Sequence, residues 1–538
     1  MPEVHDRTTL ELYDVAVVGC GPVGAYAAIA LARAGLRTVV IEAAETPYPQ
    51  PRAVHFDHEI MRLLQNIGVL DFVRADVRET DGHLHVGADG GMIRYLSSVG
   101  RPRRFGWAND YFFYQPEFEA HLRTALRTLP QASLRLGTAL ESFTQDRDAV
   151  TLTVTTRQGQ EHLRARWLLG CDGARSTVRR QLGVTLEDLD FEEPWLVVDA
   201  EVDAPLHFPP IDGVPAAADL QRLSVMFCDP ARPLTVVPGR GKHRRWEFML
   251  LPGESDQEMA QSEQIERLMR PWVADIPYRV VRAATYRFHG LVARQWQRGR
   301  VFLAGDAAHQ TPPFFGQGMC HGFRDAANIA WKLALVARGA AGDALLDTYQ
   351  PERDPQVRAV IAAAIDAGRY ICLLDRKAAA DRDTALRRQL TRDSGKTAAD
   401  LITPIGAGIV APGGAGAGER FVQPWLATAT GRALLDDVVG GGWRLLVRDE
   451  HQVRRARAAA DILVPELAMA IVNASTLEDE GILNDWFSRH RVCAVIVRPD
   501  FYVFGGCENA DGLEPLLDSL RTRLHLTASR TPFTSTSP

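Results

Sequence analysis

The chain has 538 residues, 46% hydrophobic and 24% charged, and at roughly 150 residues per domain this length suggests about three to four domains of ordinary globular composition. Gly (44) and Pro (31) are too few for a collagen-like or wholly disordered chain, and a formal charge of −6 leaves no global basic field to hold nucleic acid or an anionic membrane. Seven cysteines without a CxxC pair, a polar Met1–Asp14 start without a signal-peptide core and no apolar run of about 20 residues lead to the expectation of a reduced, cytoplasmic protein.

Tyr13–Val18 is a short β-branched run that stops at Gly19, as a buried parallel strand does. Pro22–Ala34 is rich in Ala and Leu and closes on Gly35, which predicts a helix with a left-handed C-terminal cap. Thr38–Glu42 is a second apolar strand, so the three segments form one βαβ unit with a right-handed crossover. A Pro-rich loop runs from Ala44 to Arg52, and Ile60, Leu63, Leu64 and Ile67 then recur at helical spacing. A helix is predicted near Glu117–Leu129, and strands at Ala149–Thr156 and Ala165–Gly170. From Phe191 to Pro252 the texture becomes strand-like, with runs at Trp195–Val202, Leu223–Cys228 and Trp246–Leu251, which reads as a β-rich insertion. Val301–Asp306 returns to the buried-strand pattern, and Gly322–Gly339 reads as a long helix. Gly406–Gly418 has the composition of a linker. Beyond it, strands at Trp443–Arg448, Val492–Val497 and Phe501–Gly505 and a helix at Gly512–Leu524 make a small α/β unit.

Three short motifs carry chemistry. Gly19-Cys-Gly21-Pro22-Val23-Gly24 is G-x-G-x-x-G at a strand–helix junction. The first glycine permits the tight turn, the second lets backbone approach a pyrophosphate, and the third lets helix pack on strand. Glu42, 23 residues after Gly19, ends the next strand where a carboxylate meets ribose hydroxyls. This context indicates a dinucleotide, and leaves FAD and NAD both open. Cys171-Asp172-Gly173-Ala-Arg175-Ser176 follows the strand Ala165–Gly170. Gly305-Asp306 closes the buried-strand run that begins at Val301 and precedes Pro313-Phe-Phe-Gly316-Gln-Gly318-Met319-Cys320 and a helix. A carboxylate there suits a ribityl hydroxyl, and a helix start suits the negative edge of a reduced flavin.

In this order the three motifs resemble the fingerprints of the single-component aromatic-ring hydroxylases, the para-hydroxybenzoate hydroxylase-like flavoprotein monooxygenases, over about Tyr13 to Arg353. Phe227–Pro233, Glu247–Glu254, Trp331–Val336 and Leu345–Tyr349 are similar to the branch that hydroxylates 3-(3-hydroxyphenyl)propionate. The resemblance implies an α/β fold: a Rossmann-like FAD-binding domain with an inserted β-sheet substrate domain and a thioredoxin-like C-terminal domain. Domains are expected at 1–185 (FAD-binding, with substrate-domain strands near 82–112), 186–285 (substrate sheet), 286–400 (FAD-binding and connecting helices), 401–418 (linker) and 419–538 (thioredoxin-like, without CxxC).

The resemblance also implies roles. Arg52 reaches the pyrophosphate, Gln115 lies beside the flavin, and Asp306 contacts the ribityl chain. Pro313 lines the reaction site with its carbonyl, followed here by a Phe314-Phe315 pair that departs from the family pattern. Met319 and Cys320 present backbone N–H groups to the flavin ring, with Gly316 and Gly318 in the same loop. Asp172 and Arg175 serve FAD and NAD(P)H. NADH or NADPH, with NADH favoured, reduces the flavin, and O2 is activated as a C4a-hydroperoxyflavin. A phenolic ring is then hydroxylated ortho to its hydroxyl, 3-(3-hydroxyphenyl)propionate or 3-hydroxycinnamate giving the 2,3-dihydroxy product. Resorcinols, chlorophenols or a polyketide are the alternative substrates, and a flavin protein without hydroxylase activity is the reading from another class. A base near the phenol is expected, and Asp57 and His289 are the candidates, against capping and packing roles. His309 reads as a structural link. Arg222, Arg244 and Arg245 are candidates for a substrate carboxylate. A homodimer is the one protein partner this reading names.

Overall fold

The computed structural model describes residues 11–97, 99–100, 103–390 and 398–527. The Met1–Asp14 start therefore lies mostly outside the described residues, as do parts of the expected segments 82–112 and 286–400 and the end of 419–538.

Leu12–Val18 is buried on both faces from Val15 onward, which a strand in the middle of a parallel sheet requires. It pairs in parallel with Gly159–Gly170 on one side and Thr38–Glu42 on the other. Val301–Leu303 and Ala132–Leu136 extend the sheet outward, also in parallel. The helices Pro22–Arg33, Gln115–Arg127 and Gly318–Ala337 pack together beside it. Gly318–Ala337 starts four residues earlier than the sequence predicts, because the glycine-rich run from Gly318 is already helical.

A second sheet of eight strands runs in the order His309–Gln310, Tyr278–Ala293, Leu186–Val202, His243–Met249, Leu234–Val237, Leu223–Phe227, Gly82–Val86, Met92–Ser97. Its middle strands alternate. Leu84, Val86, Val225, Phe227, Val236, Trp246 and Phe248 point to one face, where Ile265, Met269 and Trp272 of the helix Ser262–Val273 cover them. Each such buried apolar side chain contributes about 1.5–3 kcal/mol. Their in-between neighbours are left for the opposite face.

The expected division at 285/286 is corrected here: Tyr278–Ala293 passes through it as one strand, paired along its length with Leu186–Val202. No proline and no glycine before Gly290 interrupts it, so nothing local ends the strand there.

At the C-terminal end, Arg444–Val447 pairs in parallel with Ala470–Asn473 and antiparallel with Ala494–Val497, which in turn pairs antiparallel with Val503–Cys507. With the helices Glu450–Leu463, Ile482–His490 and Leu513–Arg523 this is a thioredoxin-like arrangement. The segment 401–418 is not a free linker. Ile402, Ile405, Ile409 and Val410 are buried, and Ile405 N–H donates to the Gly418 carbonyl at 2.9 Å. A Cβ on Gly418 would fall 1.9 Å from the Ile405 carbonyl oxygen, so this glycine serves close approach and not flexibility.

No helix among the described residues is long and apolar enough to cross a membrane.

Candidate active site

A cavity of about 920 Å³ runs from the end of the first βαβ unit to the second sheet, large for a small-molecule site. At one end Gly19, Gly21, Pro22 and Val23 line it. Gly19 has φ +95°, and a Cβ there would lie 2.5 Å from the Cys171 carbonyl oxygen. A Cβ on Gly24 would lie 2.0 Å from the Gly19 oxygen, whereas one on Gly21 would meet nothing within 4 Å. Two glycines are thus demanded by the protein's own packing and the third by open space. The helix behind them begins at Pro22 with no side-chain cap, so its first N–H groups and its dipole remain for an anion. Glu42 sits at the rim, where its carboxylate accepts from Cys20 N–H at 2.7 Å and Ala44 N–H at 2.9 Å. Open space at Gly21, an uncapped helix start and a carboxylate at the next strand end fit a dinucleotide.

Asp306 lies where the strand Val301–Leu303 gives way to a turn, with Gly305 at φ +61°. The turn is pinned from behind by buried Asp325, which accepts from Gly305 N–H at 3.1 Å, pairs with His309 Nε2 at 2.7 Å and with Arg353 Nε at 2.9 Å. His309 is therefore a structural link. Asp306 itself opens into the cavity with no hydrogen-bond partner among the described residues. Its enclosure by protein raises its pKa, against the lowering pull of His309 and Arg52. A carboxyl so placed has unspent capacity for hydroxyl donors.

Asp172 lines the cavity but is occupied. It accepts from the Ser176 hydroxyl at 2.5 Å and from Thr177 and Val178 N–H at 2.7 and 3.0 Å, capping the short helix that follows. Arg175 is exposed and does not line the cavity. The Arg52 loop is held by Gln115, whose Oε1 accepts from Arg52 N–H at 3.1 Å and Ala53 N–H at 2.6 Å. Arg52 lies over the Tyr48 ring, 4.5 Å from its centroid, beside the cavity. Gly316, Gly318 and Met319 line the cavity at the start of the long helix, while the Cys320 side chain is buried behind them. Pro313 lines it too, although its carbonyl accepts from Gly316 N–H at 2.8 Å.

The other end of the cavity is the free face of the second sheet. The register sets His83 beside Ser224, Met226 opposite Thr235, and Glu247 opposite both Thr235 and Val197. All six side chains line the cavity, as strand alternation dictates once the other face is buried. Phe288 and Phe314 close it, packed edge-to-face with ring centroids 6.1 Å apart. Burial pushes the Glu247 carboxyl up to about 7, against the opposing charge of Arg245.

Two sequence-based expectations for the base are corrected or qualified. Asp57 does not line the cavity. It is fully buried, caps the helix His58–Asn66 by accepting from Glu59 N–H at 3.0 Å, and is ion-paired with Arg324 of the long helix. The pairing outweighs burial and lowers its pKa well below the usual carboxylate range. His289 does line the cavity, at its rim, with Nδ1 3.8 Å from Glu192 on the neighbouring strand. The arginines expected for a substrate carboxylate are all engaged. Arg222 pairs with Asp81, Arg244 donates to three backbone carbonyls, and Arg245 forks onto Asp199. Sequence reading missed His55, His83 and Glu247. The alternation His83-Leu-His85 before a β-rich segment is the one signal that pointed to polar groups on a cavity face.

Fold and site together define a flavin-dinucleotide protein whose cofactor cavity opens onto a substrate sheet. Residues 12–364 match the family model described as FAD binding domain, and residues 418–523 match the HcaD C-terminal domain. The chain belongs to this FAD-binding family of aromatic-ring hydroxylases. It is 34% identical over 532 residues to a probable NADH-specific resorcinol 4-hydroxylase of Rhodococcus jostii, covering 96% of each chain. It is also 34% identical to a 3-(3-hydroxy-phenyl)propionate/3-hydroxycinnamic acid hydroxylase of Burkholderia cenocepacia, over 91% of this chain and 93% of the relative. The flavin-dependent monooxygenase PieE, solved with FAD and substrate, shares the fold at 23% identity with a TM-score of 0.79, over 96% of this chain and 99% of that one.

Proposed function

We propose that this enzyme uses NAD(P)H and O2 to hydroxylate a phenolic ring ortho to its hydroxyl, with 3-(3-hydroxyphenyl)propionate or 3-hydroxycinnamate giving the 2,3-dihydroxy product. The observation that carries this reading is a single cavity joining the glycine fingerprint to the polar face of the second sheet. The names of the relatives support the substrate class and the use of NADH. Bound FAD supplies the redox chemistry between nicotinamide and oxygen, as cofactors do in such enzymes. The chain's own residues hold and shield it. Gly19, Gly21 and the uncapped helix start take the pyrophosphate, Glu42 and Asp306 take hydroxyls of the ribose and ribityl groups, and Arg52 adds positive charge on the pyrophosphate side. Gly318 and Met319 present the helix N-terminus to the flavin ring. Phe288 and Phe314 exclude water from the reacting centre. Asp172 and Arg175 in nicotinamide binding, and a location in the cytoplasm, belong to the same proposal. Seven unpaired cysteines suit a reducing compartment.

One observation favours a second substrate, the uncharged diphenol resorcinol. Of the three arginines expected for a carboxylate, Arg222 and Arg244 do not line the cavity and Arg245 is committed to Asp199, while Glu247 sets a carboxyl in the wall. The test is a panel of phenols with NADH and with NADPH, following nucleotide oxidation and product by chromatography. Conversion of 3-(3-hydroxyphenyl)propionate supports the first reading, and conversion of resorcinol with inertness of the acid supports the second. No stimulated oxidation with any phenol overturns both.

A further inference from the structure

At the sheet end of the cavity lies a group of side chains that the fingerprint motifs do not account for. His83 is 3% exposed, lines the cavity, and has no hydrogen-bond partner on either ring nitrogen among the described residues. His55 lies edge-on to it with ring centroids 5.4 Å apart. Nε2 of His55 is 2.8 Å from buried Asp110, and its Nδ1 points at Gly316, where an added Cβ would sit only 2.5 Å away. Gly316 belongs to the loop that leads into the long helix at the flavin end, so this pair stands where ring and substrate must meet. An imidazole buried with both nitrogens unsatisfied costs free energy, which a polar ligand in the cavity would recover.

We propose that His83 binds the phenolic hydroxyl of the substrate and accepts its proton, and that the His55–Asp110 pair positions His83 and stabilises the resulting phenolate. The inference rests on the phenol-hydroxylase reading and deepens it by naming the group that activates the ring. In the step, the phenol O–H bond breaks, an N–H bond forms on His83, and the electron pair stays on oxygen, enriching the ring carbon ortho to it. The proton returns to that oxygen as the hydroxylated carbon loses its own proton to water. Electrostatics divide the labour. Burial pushes His83 down to about 4, with the charge of His55 adding to this, so it is a neutral acceptor at pH 7. Burial works to lower His55 as well, but the hydrogen bond and charge of Asp110 outweigh it and raise its pKa, favouring the cation. Besides His55, the charged or titratable groups acting on His83 are Arg94 on the paired strand Met92–Ser97 and Asp110 on the strand Asp110–Phe113 of another sheet, with His85 two residues along its own. Ser224, its register partner, shares the cavity wall.

The test compares the FAD-loaded protein with His83→Gln and His55→Gln, using whichever phenol of the panel the wild type converts. Flavin absorbance and affinity report folding and are expected to stay as in the wild type. His83→Gln is expected to lower kcat for product formation by about 10²-fold, the lower end of general-base contributions, and to steepen the pH–rate profile on its alkaline limb as the substrate supplies its own phenolate. Ring-fluorinated, more acidic analogues should narrow the gap between variant and wild type. His55→Gln is expected to shift the pH profile with a smaller loss. Wild-type kcat and profile in His83→Gln, or equal losses for acidic and ordinary phenols, overturn the proposal while leaving the hydroxylase reading intact. Stoichiometric zinc or iron in the isolated protein, lost with His83→Gln, overturns it in favour of a metal site. If His83→Gln does not fold, the His55→Gln profile decides: unchanged, it overturns the proposal. A wild type that converts no phenol defeats the underlying reading instead.

Discussion

The two ends of the long helix Gly318–Ala337 treat polar groups in opposite ways. At its start, around the cavity, Asp306 and His83 have no hydrogen-bond partner among the described residues, and the Glu247 carboxyl has Arg245 only at 3.9 Å. Along its middle and end, the large charged side chains are committed. Arg324 pairs with Asp57 and Glu59, and Tyr502 from the C-terminal domain donates to Glu59 at 3.1 Å. Further along, Glu352 accepts from Asn328 at 2.6 Å, pairs with Lys332 at 3.0 Å and with Arg498 at 2.7 Å, while Arg498 also holds Asp500. Paired charges here fasten the C-terminal domain to the helix that meets the flavin. Unspent polar groups mark where a ligand is meant to complete the structure.

The sharpest way to break this contrast is Glu352→Ala. It leaves Lys332 without its carboxylate and Arg498 with Asp500 as its remaining carboxylate in a fully buried site, and removing one partner of such a cluster costs about 3–5 kcal/mol. A large fall in Tm is the expected outcome, read by calorimetry of the FAD-loaded protein; a change within a degree would show that the junction is not held by these charges. The pH dependence follows in sign. Burial works to raise the Glu352 pKa, but the charges of Arg498 and Lys332 overcome it and hold it at about 2, below its ordinary value near 4.5. A depressed carboxyl contributes stability that is complete above the unfolded value and is lost as pH falls from there through about 2.

Next in size is the pair Gly21→Val and Gly24→Ala, which separates ligand space from protein packing. Gly21→Val fills the open space at the turn, so FAD affinity is expected to fall by about 10²-fold while the apoprotein's Tm is kept, since a Cβ there meets nothing within 4 Å. Gly24→Ala drives a Cβ to 2.0 Å from the Gly19 oxygen and is expected to lower the apoprotein's Tm as well. Equal behaviour of the two variants, in titration with FAD and in melting, would remove the distinction.

This division also explains what sequence could show. Gly19, Gly21, Gly24 and Asp306 are legible because backbone geometry demands particular residues at fixed spacing next to a strand. The inserted sheet was legible as texture, but its cavity face was not. Which of two alternating rows faces the cavity depends on register with strands far off in the chain, such as Ser224 against His83. The ion cluster at the junction was invisible for the same reason: Glu352, Arg498 and Asp500 meet only after two domains have packed. Composition misled at 401–418, where glycines that permit close contact look identical to glycines that permit motion. Asp57 misled differently, since its place near the fingerprint loop says nothing about Arg324, 267 residues on, which claims its carboxylate.

The smallest expected effect belongs to Glu247, the loosely paired counterpart of Glu352, with Arg245 at 3.9 Å. Its folded pKa of about 7 lies above the ordinary 4.5, because burial in the cavity wall outweighs the attraction of Arg245. The folded state therefore binds more protons than the unfolded chain across this interval, and stability falls as pH rises from about 4.5 to about 7. Glu247→Gln removes that loss, so in the absence of ligand the variant is expected to gain on the order of 1 kcal/mol over the wild type at pH 8 and nothing at pH 4. Water in the open cavity keeps the gain below the full linkage value. Urea melts of the apoprotein at the two pH values read the difference directly. A constant offset between variant and wild type at both would mean that Glu247 stays charged, held by Arg245 as Glu352 is held by Arg498, and the contrast between the two ends of the helix would not extend to this carboxyl.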